Sequence, residues 1–106
     1  MQIYGLKNCD TCRKALKEFP DAQLVDVREN SLPEDVLDRA LAQFGPALLN
    51  TRSTTWRGLD EAERQREPRT LIRAHPALMK RPLISVDKSL FLSWNNEVRD
   101  DIKALL

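Results

Sequence analysis

The chain has 106 residues, with 17 Lys+Arg against 16 Asp+Glu, 42% apolar and 31% charged. That balance suits one soluble globular domain rather than a disordered chain. The near-zero net charge gives no footing for nucleic acid or a membrane surface, so any anion binding must come from a local cluster of arginines. The N-terminal segment does not read as a signal peptide, and no stretch approaches the ~18 apolar residues of a membrane span, so a cytoplasmic setting is expected. In a reducing compartment the two cysteines are expected to do chemistry or bind metal rather than form a permanent staple.

Gln2-Ile3-Tyr4 reads as a short strand ending at Gly5. Cys12, Ala15, Leu16 and Phe19 then share one helical face, and Pro20 stops that helix. Leu24–Val27 reads as a second strand, so the chain opens strand–helix–strand, which favours a parallel pair. A second helix is expected from a Ser31/Glu34 capping box, with Pro33 in its first turn. Its buried stripe is Val36, Leu37, Ala40, Leu41 and Phe44, and Gly45 ends it.

Asn50–Gly58 is polar and reads as irregular; two short helices are expected near Asp60–Arg66 and Pro68–Ala74. Leu83–Val86 and Leu90–Leu92 flank the turn Asp87-Lys88-Ser89 as a hairpin. Asn95 or Asn96 can cap a last helix that buries Val98, Ile102 and Leu105. The order β-α-β, helical insert, β-β-α predicts a single α/β domain. It has a thioredoxin-like core with a four-stranded mixed sheet (about residues 1–28 and 76–106) and an all-helical insertion (about 29–75).

Cys9-Asp10-Thr11-Cys12 falls where the first strand gives way to the first helix. The unpaired N–H groups at a helix start favour a thiolate there, so Cys9 reads as a nucleophile and Cys12, one turn on, as its resolving thiol. Lys7, Arg13 and Lys14 are expected to add to thiolate stability and Asp10 to oppose it. The alternative for Cys12 is a small core residue on the stripe with Ala15, Leu16 and Phe19. A zinc site needs about four ligands, and beyond the cysteines the chain offers only His75 as a soft ligand, so no metal is expected.

Pro82 opens a strand, where a missing N–H does least harm. A cis Arg81–Pro82 bond would turn Arg81 toward the thiolate and an anionic substrate; an ordinary trans proline is the alternative. Arg52, in the polar loop with Asn50, suits bidentate binding of an oxyanion, against the commoner fate of a solvated surface charge. Arg57, Arg64, Arg66, Arg69 and Arg73 read as helix-surface charges, and His75 as a helix-end residue.

Three segments carry a resemblance: Tyr4-Gly5-Leu6-Lys7-Asn8-Cys9-Asp10-Thr11, Leu48 through Glu61 around Asn50-Thr51-Arg52-Ser53, and His75 through Ile84 around Arg81-Pro82. Through them the chain resembles the ArsC/Spx-like arsenate reductase family of thioredoxin-fold proteins, most of all its YffB-type branch of reductases. The resemblance implies Cys9 as redox nucleophile, Arg81 before a cis Pro82 binding the thiolate or an oxyanion, and a site role for Arg52. Asn50, Pro82 and Lys7 are counted with Arg52 as substrate- or anion-binding residues. Cys12 matches the second cysteine of Spx-like redox switches. Two departures weaken an arsenate site: the family's hairpin arginine falls within Leu92-Ser93-Trp94-Asn95, which has none, and its histidine four residues before the cysteine is Gly5.

The expected function is a thiol or disulfide reductase with no bound cofactor. Glutathione would be a co-substrate, or glutaredoxin or thioredoxin a partner, and the chain a monomer. The alternatives are an Spx-like redox-sensing regulator that binds RNA polymerase rather than nucleic acid directly, and an arsenate reductase.

Overall fold

A four-residue strand is stable only when paired, and the N-terminal one is paired on both edges. In the computed structural model, which describes residues 1–106, β1 (Gln2–Gly5) runs parallel to β2 (Gln23–Asp26), with Ile3 opposite Leu24. On its other edge it runs antiparallel to β3 (Leu83–Val86), with Ile3 opposite Ile84. β3 continues into β4 (Ser89–Leu92) through Asp87-Lys88, where Asp87 takes φ 53; aspartate tolerates this left-handed conformation better than most residues. The sheet order is β2-β1-β3-β4, a mixed four-stranded sheet of the thioredoxin-like class. Every residue of the internal strand β3 is buried.

The core of this unit lies on the sheet face that carries Ile3, Ile84 and Val86. Helix α1 (Asp10–Glu18) contributes Ala15 and Phe19, and α6 (Asn96–Leu105) contributes Ile102. Trp94 joins them edge-on to Phe19, with ring centroids 6.0 Å apart. Each buried aliphatic side chain contributes about 1.5–3 kcal/mol. Leu105 does not belong to this set: it is 53% exposed. Asn95, not Asn96, caps α6, its Oδ1 accepting the Val98 N–H at 2.8 Å.

The contacts divide the chain into two units, Met1–Asn30 with Arg81–Leu106, and Ser31–Lys80. The second contains α2 (Glu34–Phe44), α3 (Thr54–Arg57), α4 (Glu61–Arg64) and α5 (Pro68–Ala74), with 3-10 turns at Gly45–Leu48 and Pro76–Leu78. It is not purely helical, since Leu49 and Met79 form an antiparallel bridge flanked by Asn50 N–H to Leu78 O and Lys80 N–H to Leu48 O, each 2.7 Å. Residues 76–80, expected in the core, therefore belong to the insert.

Two local expectations are corrected. The Ser31 capping box does not form; α2 starts later, with Pro33 at the cap. Its first turn, Glu34 and Asp35, is acidic as the helix dipole favours. Glu34 and Asp38 take Arg69 and Arg73 from α5 as ion-pair partners, and Arg73 also donates to Leu32 O at 2.6 Å. The polar stretch 50–58 is not irregular throughout: Ser53 Oγ accepts the Trp56 N–H at 3.1 Å and starts α3. No helix is long and apolar enough to cross a membrane.

Because one side chain carries the α6 cap, Asn95→Ala is expected to lower stability by about 1 kcal/mol and Asn96→Ala by much less, read from urea unfolding midpoints.

Candidate active site

The turn between β1 and α1 is fixed from several sides. Cys9 is the N-cap of α1, in extended conformation, with its N–H on Leu6 O at 3.1 Å and its carbonyl accepting the Arg13 N–H at 3.0 Å. The Lys7 peptide is held at both ends: its N–H donates to Asp26 Oδ2 at 3.1 Å, and its carbonyl accepts Arg13 Nε at 3.0 Å. The same aspartate accepts the Arg28 N–H at 2.9 Å. The Lys7 N–H holds the Asp26 carboxyl below its ordinary value against the opposing effect of burial, with the Arg28 N–H adding to the lowering.

The two sulfurs at this helix start have opposite tendencies. Burial pushes the Cys9 thiol up. That is outweighed by hydrogen bonds from the Thr11 hydroxyl (3.2 Å), the Cys12 thiol and N–H, and Arg81, which bring it down to about 7. Cys12 is fully buried, and burial followed by its contact with Cys9 pushes its thiol up to about 12. Both thiols are free. The arrangement favours a thiolate at Cys9 beside a protonated thiol at Cys12, and the thiolate is the form that attacks in thiol–disulfide exchange.

Arg81 thus reaches the Cys9 sulfur, and the Arg81–Pro82 bond is cis. Pro82 is fully buried, and its carbonyl accepts the Ser93 N–H at 2.8 Å. The next residue, Trp94, is committed to the core against Phe19. Lys7 does not spend its charge on the thiol as expected: its ammonium lies 3.0 Å from both Glu29 carboxylate oxygens. Arg13 is likewise turned to the Lys7 carbonyl.

Asn50 and Arg52 lie in the second unit. With Leu49, Thr51 and Lys80 they line a polar cleft of about 410 Å³. The Asn50 Oδ1 accepts the Arg52 N–H at 3.1 Å, and the Arg52 carbonyl accepts Arg57 Nη2 at 2.7 Å. Arg64 supports α3 from below this loop, donating to the Trp56 carbonyl at 3.2 and 3.3 Å with its guanidinium 5.5 Å from the Trp56 ring centroid. Arg57 and Arg64 are the helix-surface charges expected, and they also brace this loop through its carbonyls.

Sequence reasoning missed Thr11 and Lys80. The signal for Thr11 was its place between the cysteines, where a first-turn hydroxyl can turn back on the N-cap. Lys80 had no such signal, because the Leu49–Met79 bridge that brings it beside Asn50 joins distant segments.

The ArsC family model matches residues 4–102. Among solved structures, the YFFB protein matches with a TM-score of 0.82 at 27% identity, covering 97% of this chain and 96% of that one. An arsenate reductase (ArsC) related protein from Brucella melitensis matches with a TM-score of 0.65 at 33% identity, covering 94% and 91%. The global transcriptional regulator Spx 2 of Bacillus cereus is 29% identical over 106 residues, 90% of this chain and 80% of the regulator.

Thr11→Val removes a hydroxyl bond to the Cys9 sulfur and is expected to raise the pH of half-maximal Cys9 alkylation by about one pH unit. Thr11→Ser should leave it near the wild-type position.

Proposed function

The chain belongs to the ArsC family, and from that premise we propose that it is a cytoplasmic thiol-dependent reductase of oxidised thiols, drawing electrons from glutathione or from a glutaredoxin- or thioredoxin-type protein. The observation that carries this reading is the placement of two free thiols one helical turn apart, Cys9 at the N-cap of α1 and Cys12 fully buried, which lowers the first to about 7 and raises the second to about 12. The Cys9 thiolate attacks one sulfur of a substrate disulfide, R–S–S–R′. A Cys9–S–S–R bond forms, the S–S bond of the substrate breaks, and R′ leaves as a thiolate.

Cys12 then loses its proton to the departing thiolate and attacks Cys9 Sγ. The Cys9–Cys12 disulfide forms and R leaves as a thiolate. Two electrons have passed from the protein to the substrate, and two glutathione thiols restore the reduced pair as glutathione disulfide forms. The order is built in, because the Cys9 charge that helps keep Cys12 protonated disappears once Cys9 is in a mixed disulfide. Arg81 supports the anion at Cys9 before attack and each time a thiolate leaves. Asn50 and Arg52 remain proposed anion-binding residues, on the strength of the polar cleft they line in their own unit.

A second reading, a redox-sensing regulator that binds RNA polymerase, is favoured by the 29% identity to Spx 2 together with the Cys9/Cys12 pair. Arsenate reduction stands third. Trp94, in the segment where arsenate reductases carry arginine, packs on Phe19, and an oxyanion with fewer cationic partners binds poorly.

Release of the free thiol from a glutathionylated peptide is expected to vanish in Cys9→Ser. In Arg81→Ala it should fall by roughly 10–100-fold, with Arg81→Lys recovering part. Protonation of Cys9 should cut the rate as pH falls below about 7, with a plateau above it. A rate that still climbs beyond the ~8.5 of a free thiol would contradict the reading. Capture of RNA polymerase without turnover would favour the regulator.

A further inference from the structure

Three glycines occur in the chain, and they serve different ends. Gly45 takes φ +55 and has open space where a Cβ would stand, so its backbone asks for glycine. Gly58 leaves ordinary room for a Cβ, its nearest neighbour being 3.5 Å away. Gly5, the last residue of β1, does not take a left-handed φ, so its backbone would suit any residue. Yet a Cβ there would stand 2.2 Å from Cys12 Sγ and 3.3 Å from Cys12 Cβ. The first distance is far inside van der Waals contact, and the atom met is not the end of a long, yielding side chain.

The Cys12 sulfur therefore occupies the space that a side chain at residue 5 would fill. It has nowhere easy to go, because Cys12 is fully buried and Ala15 and Phe19 on the same helix face are packed in the core. In this seat the sulfur lies against the strand end, hydrogen-bonded to the Leu6 backbone and to Cys9. Displacing it means an unfavourable rotamer or a shift of α1 against the sheet.

We infer that Gly5 is a positioning residue for the resolving step: its missing side chain seats the Cys12 sulfur where it can attack a mixed disulfide at Cys9. This rests on the proposed reductase chemistry and adds a determinant of its outcome. With Gly5, the Cys9–S–S–R adduct closes to the internal disulfide and expels R as a thiolate. With a side chain at residue 5, closure is slow and the adduct persists until an external thiol attacks it.

The test mixes reduced wild type and Gly5→Ala with oxidised glutathione, quenches in acid and weighs the intact protein. Wild type should pass through the Cys9–glutathione adduct to the internal disulfide. Gly5→Ala should accumulate the adduct, with closure slowed roughly tenfold or more. A stability cycle tests the contact itself. Gly5→Ala should lower the unfolding midpoint when residue 12 is cysteine, and much less in a Cys12→Ala background, where the obstructing sulfur is gone. Closure at the wild-type rate in Gly5→Ala, or an equal stability loss in both backgrounds, would overturn the inference. Neither adduct nor internal disulfide in wild type would instead contradict the reductase proposal, and the stability cycle would still decide the Gly5–Cys12 contact.

Discussion

A sulfur anion partly withdrawn from water is unfavourable unless donors replace the water it has lost. Cys9 meets that condition: burial pushes its thiol toward the neutral form, and the Thr11 hydroxyl, the Cys12 thiol and N–H and Arg81 more than restore the anion. These donors arrive from two places in the sequence, the start of α1 and the segment before β3. Their convergence depends on β1 standing between β2 and β3. The bonds that fix the Lys7 peptide, from Asp26 on one side and Arg13 on the other, keep the approach to Cys9 from relaxing.

The same small region gives the neighbouring sulfur the opposite character. Cys12 differs from Cys9 by one turn of helix, and that turn carries it from the N-cap into the core. Burial comes first among the causes of its high proton affinity, and the charge next door adds to it. Each thiol therefore conditions the other. Cys12 donates to the Cys9 anion, and the anion holds the Cys12 proton in place until a covalent bond at Cys9 removes the charge. The insert plays a different part: it carries its own polar cleft on a loop anchored by Arg57 and Arg64.

What could be read from the sequence was what short-range patterns encode. The stripe of Cys12, Ala15 and Phe19 placed α1. The turn at Asp87-Lys88 placed the hairpin, and the asparagine pair before Val98 contained the α6 cap. The cysteine pair was legible because its motif and its place between strand and helix are both local. The misses depend on distant or competing partners. Ser31 lost the α2 cap as the helix started later, at Glu34, with Glu34 and Asp38 facing the arginines of α5. Ser53 began a helix inside a run that looked irregular. Lys7 was drawn to Glu29, and Gly5 owes its identity to a sulfur seven residues further on, a contact that exists only after α1 folds back onto β1.

The proposed chemistry depends on two sulfurs, one helical turn apart, holding their protons with very different strengths. Cβ chemical shifts of carbon-13-labelled cysteine, followed in the reduced protein across a pH series, observe both at once. The Cys9 resonance should titrate near 7 while Cys12 stays protonated to the end of the series. Both resonances moving together near the ~8.5 of an unperturbed thiol would contradict it.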